Sequence, residues 1–352
     1  MIKYIKNLPI HNVDDTISLN EARRIISELS KPIAEISQNI QLNMKLIEDK
    51  KYELEKNGHN MKDLEKRLNI PVVDLEIENL DYPTTVCTNS DCVQYINVEG
   101  NIKKCDYKTV CHSRCYLKGV VTNTINTSQL RNCSAMNQLG DCDTCKCKWD
   151  MHMHITYKTK LKKRNMIDQN TAELIKSKTQ KSDKIKAIID RCNERLTKLQ
   201  YEQMKINEIS AKFAFFAENK SILVFNDDLE NFLDLLIREE KGKLATCDEN
   251  DTRILDGLVK TKNEYLYQKK LYNDAFEQSR ANQNDSIVNL NNINELKKEL
   301  FDLPIKGNEL QKMIEDININ KQKIDKTNET SIRLGVVKTT TIFKNIINYY
   351  FK

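Results

Sequence analysis

Nine of the chain's eleven cysteines lie between Cys87 and Cys147, in a sequence of 352 residues. The cluster runs Cys87-x4-Cys92, Cys105, Cys111-His112-x2-Cys115, Cys133 and Cys142-x2-Cys145-x-Cys147, and ends in His152-x-His154. So many thiols and imidazoles in one short polar stretch leave little apolar sequence from which to build a core. Such a region needs covalent or metal cross-links to fold. Residues 1–10 (MIKYIKNLPI) hold no apolar run of signal-peptide type. A reducing, cytoplasmic setting is therefore expected, and metal rather than disulfides.

The donor types point to zinc, which closes structural sites with four Cys or His ligands. The candidate ligands are Cys87, Cys92, Cys111, His112, Cys115, Cys133, Cys142, Cys145, Cys147, His152 and His154. Close pairs matter because a short turn brings two donors onto one ion at little entropic cost. Cys142-x2-Cys145 has the spacing of a zinc knuckle. Cys145-x-Cys147 and His152-x-His154 would each place two donors on one face of an extended strand. Two zinc ions are expected, with donors enough to leave room for a third; which ligands share an ion is not legible. A disulfide framework or free cysteines form the alternative. Catalytic zinc is a further one, but neither H-E-x-x-H nor H-x-E followed by P-C-x-x-C occurs.

The remaining sequence reads as helix. Charged residues make up 30%, with only 8 Gly and 5 Pro, a composition that favours long amphipathic helices. Ile26, Ile33, Ile40, Ile47, Leu54, Met61 and Leu68 recur every seventh position, with Ala22, Leu29 and Ile36 beside them. Ile185, Cys192, Leu199, Ile206 and Phe213 repeat the spacing. Heptads of this kind predict coiled coil. Pro32 and Gly58 are expected to split the first arm into helices in series, Ser30 capping the second. Residues 213–237 are the most apolar, with a link at 226–228, and Pro304 and Gly307 mark a later break. The predicted fold is mainly α: long helices and coiled coil with an inserted small α+β or β-rich zinc-binding module. The expected divisions are an N-terminal arm at 1–80, the zinc module at 81–157, a helical core or coiled-coil segment at 158–241, a C-terminal helical segment at 242–330 and an apolar tail at 331–352.

No stretch reaches the roughly 18 uninterrupted apolar residues of a membrane span. The tail comes nearest, but Lys338 and Lys344 interrupt it, so it reads as a terminal helix packed on the protein. A net charge of +5 is a weak bias that does not by itself imply nucleic acid. Lys158, Lys160, Lys162, Lys163 and Arg164 crowd the exit of the cysteine region. They are the candidate nucleic-acid contact, weighed against a solvated linker, which the short run favours.

Residues 86–92 (VCTNSDC), 107–120 (YKTVCHSRCYLKGV), 133–136 (CSAM) and 142–157 (CDTCKCKWDMHMHITY) closely resemble a block in fungal and invertebrate immune-associated, avirulence-induced type G-domain proteins. The resemblance extends to 18–22 (SLNEA), 32–36 (PIAEI) and 213–226 (FAFFAENKSILVFN), covering about residues 10 to 240. In that family the block follows a GTPase domain, so a G-domain protein is an implied partner. The resemblance also sets Cys105 apart from the ligands. No G-x-x-x-x-G-K-[ST] occurs, so neither a nucleotide cofactor nor the family's GTPase activity is expected. The sequence thus predicts a non-catalytic zinc-binding scaffold that self-associates or binds a protein partner through its helical arms. The alternatives are a RING-like ubiquitin ligase, an RNA-binding zinc module, and a regulator of a full-length GTPase paralogue.

Overall fold

The computed structural model describes residues 13–57, 69–98, 102–117, 122–166, 180–219, 226–246, 251–281 and 290–326, with positions 173 and 177. They fall within two compact units. One is drawn from Met1–Leu75, Tyr95–Cys105 and Leu161–Gln311; the other from Glu76–Gln94, Asp106–Lys160 and Lys312–Lys352. Met61, Leu68, Cys247 and the apolar tail at 331–352 lie outside the described residues.

The helices are α1 (Val13–Asn57), α2 (Lys181–Asn219), α3 (Asp228–Ala245), α4 (Arg253–Ala281), α5 (Leu290–Phe301) and α6 (residues 307–326). The strands are β1 (Ile70–Cys87), β2 (Gln94–Val98), β3 (Ile102–Asp106), β4 (Val110–His112), β5 (Thr124–Ile125) and β6 (His152–Met166). A four-stranded antiparallel sheet of order β4-β1-β6-β5 and a two-stranded β2-β3 pair accompany the helices. The fold is therefore mixed α+β, which corrects the expectation of a mainly α, coiled-coil protein. Eighteen residues of β1 and fifteen of β6 form much of this sheet, of which the sequence announced only the strand at His152 and His154.

The heptads are used inside the chain. Ile26, Ile33, Ile40, Ile47 and Leu54 are buried, as are Ala22, Leu29 and Ile36. Across residues 29–43 only Glu35 and Gln38 escape full burial. A two-stranded coil buries a narrow seam, whereas a helix buried all round sits in a core. α1 packs on α2, α3, α4 and α5 within its unit. It is also continuous through Pro32, not a series of short helices. Proline removes one backbone bond, and the tight burial on either side holds the helix together. Ser30 donates to the Ile26 carbonyl (2.9 Å) instead of capping.

Buried polar groups fix the register of this core. The Asn43 amide, fully buried, donates to the Val73 carbonyl (2.8 Å) and accepts from the Val73 amide (2.9 Å), clamping β1. The buried Glu202 carboxylate accepts the amides of Ile305 and Lys306, backbone donors left over at the start of α6. The break between α5 and α6 falls at Pro304 as expected. α3 starts at Asp228, its Asp227 cap accepting from the Glu230 amide (3.0 Å).

Because Ile40 is sealed inside this core, Ile40→Ala should cost ~2–5 kcal/mol. Tyr52→Ala, on the same helix but 62% exposed, should stay within about 0.5 kcal/mol. Urea titration followed by helical circular dichroism checks both; equal costs would contradict the intrachain packing.

Candidate metal centre

The cysteines converge because several short devices present them to one another. β1 pairs antiparallel with β4 (Thr85 opposite His112, Val86 opposite Val110), and the register shifts between Thr85 and Val86. Such an irregularity re-aims the following residue, here Cys87 at the strand end. A 3-10 turn, Ser90–Cys92, follows. The Asn89 side chain caps it by accepting from the Asp91 amide (3.0 Å), and Cys92 ends it. Successive residues of β4 face opposite sides, so Cys111 and His112 reach different donor groups. Arg114 (φ 54°) then turns the chain, and the Cys115 amide donates to the Pro83 carbonyl (2.8 Å). Cys133 follows the 3-10 turn Ser128–Asn132.

The segment from Cys142 to Cys147 is a turn, not the strand expected for Cys145-x-Cys147. Lys146 is left-handed (φ 64°), with its amide on the Cys142 carbonyl (2.8 Å). Gly140 (φ +79°) lies under the Trp149 indole, where a Cβ would come within 2.9 Å of Cδ1. His152 and His154 do lie on β6 and share a face. Of the two imidazoles, only that of His152 joins a donor group.

Three donor groups result. Cys87, Cys92, Cys145 and Cys147 form one; Cys111, Cys142, Cys145 and His152 a second; His112, Cys115 and Cys133 a third. Within each, the ligand atoms lie within 4.8 Å of one another. Cys145 belongs to two groups. Ligands held tetrahedrally about 2.3 Å from a zinc ion lie ~3.8 Å apart. The sulfurs of Cys92 and Cys147 are 3.9 Å apart and those of Cys115 and Cys133 3.6 Å. Sulfur-to-nitrogen distances are 3.3 Å for both Cys145–His152 and Cys133–His112. These distances are near such edges and far longer than a disulfide, and none of the ten described cysteines is disulfide-bonded. The residues present fit a thiophilic metal ion.

His154 is placed by the sequence among the ligands, and the structure leaves it outside the three groups while burying it to 2% exposure. Cys105 sits on β3, in the other unit, and joins none of the three groups. Cys192 is buried in α2, where burial pushes its thiol up to about 11.

The electrostatics also suit a cation. Burial first, then neighbouring thiols, pushes Cys87 and Cys111 well above the usual thiol range; burial pushes Cys147 up to about 12. Cys133 is instead drawn down to about 4, chiefly by a hydrogen bond from the Cys115 thiol, which is itself pushed up by keeping that proton. Cys142 is lowered too: burial opposes its ionisation, but the amides of Cys145 and Thr144 and the thiols of Cys111 and Cys145 outweigh it. Like charges this close cannot all ionise unaided; a divalent ion lifts that limit. Amides two residues on (Asn89, Leu117, Ala135, Thr144) point at the sulfurs of Cys87, Cys115, Cys133 and Cys142 and favour their thiolate forms. The His152 Nδ1–H donates to the Lys148 carbonyl (2.8 Å), leaving Nε2 as the ligand atom toward Cys145.

The basic run offers little free charge. Lys158 pairs with Asp106 (3.1 Å), Lys160 with Glu78 (2.9 Å) and Arg164 with Asp74. Lys162 and Lys163 complete the run, and Lys162 is also engaged. Carboxylates already hold three of the five cations where phosphates would bind. No described helix is long and apolar enough to cross a membrane.

A family described as a domain of unknown function, DUF8206, matches residues 79–158, a span that contains all eleven candidate ligands. No curated protein and no solved structure matches the chain.

Burial holds His152 and His154 below their ordinary value of 6.5. Once unfolded they take up protons near 6.5, which the folded imidazoles resist, so stability is present above that pH and is lost as pH falls below it. Release of a bound metal at low pH would act in the same direction. The fluorescence of Trp149, the sole tryptophan, should therefore report a lower urea midpoint at about pH 5.5 than at about pH 7.5. A midpoint that stays level or rises on acidification would contradict the buried, neutral imidazoles.

Proposed function

We propose that this chain is a non-catalytic zinc-binding scaffold in which the ions hold a cysteine-rich module folded and the helical unit serves protein interaction. The observation that carries the reading is the composition of the donor groups. Carboxylates were free to join them, yet every member is Cys or His. Thiolate and imidazole select zinc over the oxygen-loving calcium, magnesium and manganese. Two groups also supply four protein ligands each, with Cys145 counted in both, which leaves no open position in them for water or substrate.

In this reading, metal binding supplies folding free energy. Deprotonated thiols and neutral imidazoles converge only in the folded module, so binding the ion and folding the chain are one event. When bound, zinc supplies electrostatic cross-linking rather than chemistry. The chain's own residues position the sulfurs, direct amides at them and exclude water. Tyr201 and Met204 on α2, with Val259, Tyr267 and Leu271 on α4, stand exposed as apolar surface available to a protein partner. The resemblance of residues 86–157 makes a G-domain protein the partner class to try first, with co-purification as the assay.

Elemental analysis of the purified full chain should find zinc, with the cluster thiols unreactive until a strong chelator is added. Chelation should then expose those thiols and shift Trp149 emission while most helical dichroism persists, because the helical unit has its own apolar core. Protein free of metal with immediately reactive thiols would remove the reading. So would loss of all helical signal on chelation, as far as independence of the helices is concerned.

A further inference from the structure

Resting on the zinc reading, we infer that the module holds three ions: a pair bridged by the Cys145 thiolate, and a separate site of two cysteines and two histidines in which His154 joins His112, Cys115 and Cys133. Two independent observations lead there.

The first is the double membership of Cys145. Its sulfur lies within 4.8 Å of the ligand atoms of Cys87, Cys92 and Cys147, and within 4.8 Å of those of Cys111, Cys142 and His152. A thiolate sulfur has lone pairs enough to bind two cations. Ions sharing it would stand roughly 3.5–4 Å apart. Sharing also limits charge. Six thiolates around two dications leave two net negative charges. Seven thiolates, as two unshared sites of four sulfurs and of three sulfurs with one imidazole would need, leave three. Three tetrahedral ions call for twelve ligand positions, and the module has eleven donors. Cys145, counted twice, closes the difference.

The second is the state of His154. Both of its ring nitrogens are buried and neither makes a well-formed hydrogen bond, the Cys115 backbone offering at most a weak one. An orphaned polar group of this kind costs ~1–3 kcal/mol, so a partner is expected. The groups that act on its protonation are the Cys115 carbonyl, the Cys133 thiol and the His112 ring, although its nitrogens do not lie within 4.8 Å of all three donors. These are the members of the one group that has three donors instead of four. The backbone of His154 is fixed by β6, opposite Thr124, and its carbonyl accepts from the Asn123 amide (2.6 Å). Closing the fourth position therefore calls for a movement of the imidazole or of the Cys115 turn, not of the strand. Three ligands and a water would make this an open site of catalytic type; His154 closes it. His152, two residues earlier on the same face, serves the bridged pair.

Metal content of the full chain loaded with zinc, and cadmium-113 NMR after exchange, test this. Three ions per chain are expected, giving three resonances. Two of them should be split by mutual coupling through the Cys145 sulfur and the third should be unsplit. His154→Ala should lower the count from three to two and delete the unsplit resonance, with the coupled pair intact. Because that variant can fail to fold, His154→Cys provides the second arm: it should keep three ions and move the third resonance toward the position of a three-sulfur site. Two ions in the unmodified chain, three retained by His154→Ala, or three resonances with no mutual coupling would each overturn the inference while leaving the zinc reading standing. Absence of bound metal would overturn both.

Discussion

Thiolates repel one another, and this module crowds ten of its eleven candidate donors into groups whose members nearly touch. Its buried cluster is built on Cys115, Cys133, Ala135 and Cys142, with Cys111, Leu117, Met136 and Cys145 against it. Aliphatic side chains would hold such a cluster together by leaving water. Thiolates hold it together only if something neutralises them. The downward shift of Cys133 against the upward shift of Cys115 shows how a single proton settles between neighbours that cannot both be charged. Every local device in the module bears on that constraint: the strand irregularity before Cys87, the left-handed turns at Arg114 and Lys146, and the amides aimed at sulfur.

The helical unit solves the opposite problem. It has apolar residues in abundance and must choose one arrangement among several that would bury them. Its buried polar contacts do the choosing. Gln203 reaches Ser37 (3.2 Å) and Asn207 (3.1 Å), and Asn207 reaches Glu264 (3.1 Å). Sliding one helix by a turn would leave these groups buried and unpaired, at a cost apolar packing does not impose. The two units thus reach uniqueness by different means, donor geometry in one and polar register in the other.

The same difference separates what would fix a metal from what would fix a partner. A donor set of Cys and His restricts the metal strongly, because ligand softness is a property of the residues themselves. It says nothing about a partner, which would be chosen by the exposed surface of the helices. The ion pairs of Lys158, Lys160 and Arg164 illustrate the point: a basic run in sequence is largely neutralised once folding brings Asp106, Glu78 and Asp74 beside it.

The amino-acid sequence by itself determined the donor types, the clustering that makes metal the simplest explanation, the strand bearing His152 and His154, and the helical breaks at residues 226–228 and Pro304. Each of these depends on near neighbours along the chain. Only the tertiary structure decided that the heptads of α1 serve a single chain's core, since the same period suits a seam with any helix. It decided, too, that α1 runs through Pro32, and that β1 and β6 form a sheet, because the pairing partners lie far apart along the chain. The division of the ligands was likewise beyond sequence. Cys111 and His112 are adjacent yet part company across a strand, while Cys87 meets Cys145 only because the turns between them close the distance.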